Sequence, residues 1–149
     1  MEPAANAREL DLKDLSVLIV EPSKSQRQAL RRYLAQQKIT AVCEAASGKE
    51  AFDALDGGKH QLVISAMYLP DMTASDLITS LRDDPERSEI PFMLLSSEAR
   101  SDLLEPIRQA GVIALLSKPV GQNALRRALL NTLQFLNPDA LSSEFYDPA

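Results

Sequence analysis

Five short apolar runs alternate with five stretches of helical periodicity along this chain. Val17-Leu18-Ile19-Val20 is branched and wholly apolar, the pattern of a strand buried on both faces. Ser23 offers an N-cap directly after it, and Leu30, Tyr33 and Leu34 recur at helical spacing up to Gln37. Ala41 to Ala45 reads as a second strand. Ser47 then caps a helix carrying Ala51, Phe52 and Leu55, which the Gly57-Gly58 pair ends. Leu62-Val63-Ile64 is a third strand, followed by a loop with Pro70 and a helix marked by Leu77, Ile78 and Leu81. Pro91 opens strand four, Phe92 to Leu95. Leu103, Leu104 and Ile107 give helix four, ending near Gly111; Val112 to Leu116 is strand five, and Asn123 to Phe135 is helix five.

Apolar strands alternating with helices predict a parallel sheet covered on both faces and joined by right-handed crossovers. For 149 residues the expected solution is a single α/β domain. Its sheet would be flavodoxin-like and doubly wound, five-stranded in order 2-1-3-4-5, with five helices. In such sheets function gathers beyond the carboxyl ends of the strands, so the loops of interest start at Glu21, Ala66, Ser96 and Ser117. The ordered domain is expected over residues 15–136, with an N-terminal tail at 1–14 and an acidic C-terminal tail or linker at 137–149.

Charge sharpens that division. The net charge is −5. Residues 1–14 hold four acids against two bases and residues 137–149 hold three acids and no base, so the body between them is neutral. A neutral body offers no general electrostatic attraction to nucleic acid. No apolar run is long enough to span a bilayer. A single cysteine, Cys43, excludes an internal disulfide framework and fits a reducing compartment, so a cytoplasmic location is expected. Cys43 itself reads as a small core residue in an apolar strand, and His60 as a solvated loop residue.

The expected crevice gathers Glu21, Ser96 and Lys118, with Ala66 where strand three ends. The segments around these residues resemble the receiver domains of two-component response regulators. Val17 to Ser23 stands where that family has an apolar strand ending in two acids. Leu62 to Met72 stands for the strand ending in the phosphoacceptor Asp, with Pro four residues later. Pro91 to Arg100 stands for the strand ending in Ser or Thr, and Leu116-Ser117-Lys118-Pro119 for the Lys-Pro pair. The resemblance implies a carboxylate that attacks a phosphoryl group in line, assisted by Mg²⁺ held between carboxylates, with Lys and a hydroxyl on the remaining oxygens.

Against that pattern, position 66 is Ala where the nucleophile belongs, and position 22 is Pro where the second acid of the strand-one pair belongs. Glu21 alone remains of the acid cluster. Leu115 stands where many members carry a switching aromatic, and Ala74 replaces a common Gly. The expectation is therefore a degenerate receiver: no enzyme, no cofactor, no metal, acting in a two-component or phosphorelay system by protein contact alone. The alternative is a conventional phosphate-accepting receiver inactivated by an Asp-to-Ala change at position 66. Lys118 either pairs with Glu21 and holds the loops together or, with Ser96, binds an anion. A Ser-Lys hydrolase would need the two within hydrogen-bond reach and an oxyanion hole.

Alternation along a strand turns Ser65 away from Ala66, and Tyr68 is expected to pack on its loop neighbours. Lys24, Arg27, Arg31 and Arg32 make a basic side on helix one, either solvated or facing an acidic partner. Helix five carries more apolar residues than one sheet face needs, since Leu130 and Phe135 fall outside its core stripe. In receivers the face formed by helix 4, strand 5 and helix 5 serves dimers and partners. Leu104, Leu115, Leu125, Arg126, Leu130 and Phe135 are accordingly the expected contact residues, toward a second copy, a neighbouring domain or another signalling protein.

Overall fold

The structure is a computed structural model and describes residues 10–138. Five parallel strands, β1 (Ser16–Val20), β2 (Ala41–Ala45), β3 (Leu62–Ala66), β4 (Phe92–Ser96) and β5 (Ala114–Ser117), lie in the order β2-β1-β3-β4-β5. The helices are α1 (Lys24–Gln36), α2 (Gly48–Gly57), α3 (Ala74–Asp83), α4 (Ser101–Gln109) and α5 (Gln122–Leu136). This is the doubly wound sheet expected from the alternation of patterns.

Alternation along the central strands splits the core in two. Leu18, Val20, Val63, Phe92 and Leu94 face α2, α3 and α4, whereas Val17, Ile19, Ile64, Met93 and Leu95 face α1 and α5. Strands buried on both faces are mostly apolar, which is why Val17–Val20 of β1 and Leu62–Ile64 of β3 read as unbroken runs. Helix starts follow the caps: Ser23 Oγ accepts from the Gln26 N–H, Ser47 Oγ from Glu50, and Thr73 Oγ1 from Asp76.

The edges depart from expectation. β2 pairs only with β1, and Ala41, Cys43 and Glu44 are exposed while Ala45 alone is buried. Cys43 is thus a surface thiol, not a core residue, because an edge strand reaches beyond the helical layers. β5 begins two residues later than the apolar run Val112–Leu116 suggested, since Val112 and Ile113 complete the turn out of α4.

The expected domain start at residue 15 cuts through structure. Leu12–Asp14 form a 3-10 turn. Leu10 is held at both backbone groups by Asn137, its N–H donating to Oδ1 at 3.2 Å and its carbonyl accepting from Nδ2 at 2.9 Å. The rest of the two expected tails, residues 1–9 and 139–149, lies outside the described residues.

Candidate functional site

Glu21, the first residue after β1, is buried to 8% exposure. Its Oε2 accepts the Ser23 N–H at 2.8 Å, and its Oε1 accepts from Lys118 Nζ at 3.0 Å. Lys118 follows β5, with its N–H on the Ser96 carbonyl at 3.0 Å, and Nζ donates a second bond to Gln26 Oε1 at 2.8 Å. The loops after β1 and β5 are therefore joined by one charged contact. Of the two roles open to Lys118, the structure displays the pairing with Glu21.

Ser96 Oγ donates to Met67 Sδ at 3.4 Å and accepts the Glu98 N–H at 2.9 Å. Neither contact involves Lys118, so the nucleophile–base bond of a Ser-Lys hydrolase is not formed. Ala66 ends β3, buried, and lines the same crevice of about 240 Å³ as Glu21, Pro22, Ser96 and Lys118. Glu98 also lines it, an acid that the sequence pattern did not single out. Its only signal was its place two residues beyond Ser96 in a crevice loop. Ser65 is buried, with Oγ donating to the Ala66 carbonyl at 2.8 Å and its side chain outside the crevice lining, as alternation requires.

Mg²⁺ prefers several hard oxygen ligands in octahedral array. Here the one acid at the end of β1 is already bonded to an ammonium, and its neighbours are Pro22 and Ala66. Among the described residues no group of three or more His, Cys, Asp or Glu side chains could hold a metal ion. The residues present do not fit the magnesium site of a phosphate-accepting receiver.

The loop after β3 is seated on the start of α2. Asp71 Oδ1 and Oδ2 accept the N–H groups of Gly48 and Lys49 at 2.8 and 2.9 Å. Those bonds, Gly48's first, hold the carboxyl below its ordinary range. A Cβ at Gly48 would overlap the Met72 side chain, which would have to shift to admit it. Tyr68 does not pack on its neighbours as expected: its side chain is 57% exposed at the crevice mouth. Across the molecule, the Arg82 guanidinium donates to the carbonyls of Ile90, Ala110 and Gly111 at 2.8, 3.1 and 2.7 Å. Burial lowers its pKa from the ordinary guanidinium value.

The expected contact residues scatter. Leu125 is 1% exposed and belongs to the core with α1, so it cannot meet a partner. Leu104 and Leu115 are half-buried against the other core half. Arg126 reaches Gln37 at the end of α1. Phe135, 50% exposed, lines a groove with residues 55–61, 86–87 and 89–91 near the amino ends of the strands. Leu130, 40% exposed, remains an apolar side chain open to solvent on α5. The helical wheel showed which residues exceeded the core stripe but not which neighbours they would meet.

On α1, Arg27 is largely covered, whereas Arg31 stays solvated with its side chain 45% exposed. Both pair with Glu44 of β2, at 2.9 and 3.2 Å, while Lys24 and Arg32 are exposed. His60 is half-buried rather than solvated: Nε2 lies 3.3 Å from the Ala54 carbonyl and Nδ1 is buried with no partner among the described residues. No helix among the described residues is long and apolar enough to cross a membrane.

The sequence profile of the response regulator receiver domain matches residues 17–130. The chain is 25% identical over 123 residues to the chemotaxis protein CheY of Pseudomonas aeruginosa, covering 83% of this chain and 99% of that protein. Chemotaxis protein CheY-3 of Vibrio cholerae is 26% identical over 117 residues, covering 78% and 90%. Among solved structures, the receiver domain of an HD domain-containing protein from Pseudomonas fluorescens superposes with a TM-score of 0.76 at 24% identity, over 84% of this chain and 98% of that one. The chain belongs to the response regulator receiver family of two-component systems.

Proposed function

We propose that this receiver domain signals without phosphorylation, as an association module whose crevice loops are tied together by the Glu21–Lys118 pair. The observation that carries this is Ala66. In-line attack on a phosphoryl group needs an oxygen nucleophile at the carboxyl end of β3 and a cation to gather the developing charge. A methyl group supplies no nucleophile, and Lys118, the group that would steady a phosphoryl oxygen, is bonded to Glu21 and Gln26. Pro22 speaks for the same conclusion from a second position, because restoring one acid at 66 would still leave the β1 pair incomplete.

Without a phosphoryl trigger, information passes by what the domain binds. Leu130 and Phe135 on α5 are exposed apolar side chains available for such a contact, toward a second copy or a neighbouring domain of a signalling protein. Catalysis, a cofactor and nucleic-acid binding have no part in this function. The test is phosphotransfer. Incubation with acetyl phosphate and Mg²⁺ should leave the intact mass of the chain unchanged, and Ala66→Asp should fail to restore labelling. Labelling of Ala66→Asp would instead favour a conventional receiver disabled at that one position.

A further inference from the structure

Beside the crevice lies a second, more apolar cavity of about 400 Å³, and the geometry points to it as a binding site for a small molecule with an apolar body and a hydrogen-bond-accepting head, such as an aryl or short acyl carboxylate. It shares Glu21, Ala66, Leu95 and Lys118 with the crevice as a common wall and reaches under α1 toward Leu30, Tyr33, Ile64 and Val120. Its volume falls in the range of small-ligand sites, which are mostly apolar with a few convergent polar groups. The polar groups here are Glu21, Gln26 and Lys118, gathered by the bonds from Lys118 Nζ to the other two.

Those bonds leave donors free for the head. Both Glu21 oxygens already accept, from Ser23 N–H and from Lys118, and Gln26 Oε1 accepts from Lys118. Lys118 Nζ has three protons and donates two of them to residues described in the structure; the Gln26 amide nitrogen donates to none of them. The third Lys118 proton and the Gln26 amide N–H groups are the donors left for a ligand and suit a carboxylate or carbonyl head, while each Glu21 oxygen keeps a lone pair. The apolar side chains beneath it take a body about the size of one aromatic ring. Ala66 is part of the shared wall, so the site belongs to the chain with alanine at that position.

The full chain, isotope-labelled at its Ile, Leu and Val methyls, would be titrated with phenylacetate. Saturable shifts at Leu30, Ile64 and Val120, with NOEs from the ring to these methyls, are expected. Phenethylamine carries the same ring on a head that only donates, and should bind at least about tenfold more weakly. Lys118→Met should weaken phenylacetate by about tenfold while leaving the shifts induced by toluene in place, which also establishes that the variant is folded. Ala29→Leu, a helix-compatible change at a half-exposed lining position, should weaken both phenylacetate and toluene. Absence of saturable shifts at those methyls, equal binding of the two head groups, or undiminished phenylacetate binding by Lys118→Met would each overturn the proposal.

Discussion

Lys118→Met asks whether the crevice lysine is a structural partner or a free cation awaiting an anion. Lys118 Nζ and Glu21 Oε1 are 3.0 Å apart, with side chains 29% and 11% exposed. At that separation two unit charges attract by about 5.5 kcal/mol at an effective dielectric constant of about 20. Desolvation of both groups cancels most of this, and the partial exposure of Lys118 admits solvent screening. A net coupling of about 1–2 kcal/mol remains. The single variant should lose more, about 1–3 kcal/mol, because it leaves a buried carboxylate with no cation. Glu21→Gln combined with Lys118→Met should recover the excess. Urea unfolding of the parent, both single variants and the double variant closes the cycle, provided the m-values agree. A coupling below about 0.3 kcal/mol, or a Lys118→Met protein more stable than the parent, would refute the tie: a lysine kept free for an anion is no loss to the folded state.

Three further outcomes follow from other contacts. Arg82→Met removes three charge-assisted bonds to carbonyls that tie α3 to the turns around residues 90 and 110; a loss of about 2–4 kcal/mol is expected in thermal or urea unfolding, and a loss under about 0.5 kcal/mol would show the staple to be idle. Asp71 titrates below the ordinary aspartate range when folded, so its contribution is fully present above the unfolded value and vanishes as pH falls through the lower folded value. Hydrogen exchange at Gly48 and Lys49, corrected for intrinsic rates, should accelerate on that descent in the parent and be fast throughout in Asp71→Asn; identical protection in both proteins would contradict the cap. Leu130→Glu should weaken self-association or partner capture in ultracentrifugation and pull-down experiments without changing the unfolding midpoint, and unchanged association would remove α5 as the contact helix.

The fold was legible because central strands and their helices obey opposite periods. Val17–Val20 and Leu62–Ile64 had to be apolar throughout, and Ser23 and Ser47 announced the helices that follow. The edges were not legible. The segment Ala41–Ala45 has strand character, but only the sheet order makes it an edge strand and Cys43 a surface residue. The crevice residues could be assembled from four loop positions, since strand order alone brings Glu21, Ala66, Ser96 and Lys118 together. What a strand pattern cannot encode is where polar side chains outside the strands find their partners: Glu98 and Tyr68 lining the crevice, and Arg27 and Arg31 of α1 turning to Glu44. On α5 the helical period did separate buried Leu125 from exposed Leu130 and Phe135, but not what the exposed pair would meet.

Signalling without a phosphoryl group is tested most directly by NMR of the isotope-labelled chain titrated with Mg²⁺ and then with beryllofluoride, a stable mimic of the phosphoryl group. The spectrum should keep its positions at Glu21, Ala66, Ser96 and Lys118 through both additions, with the Glu21–Lys118 contact intact. Saturable, Mg²⁺-dependent shifts at those four residues would contradict it.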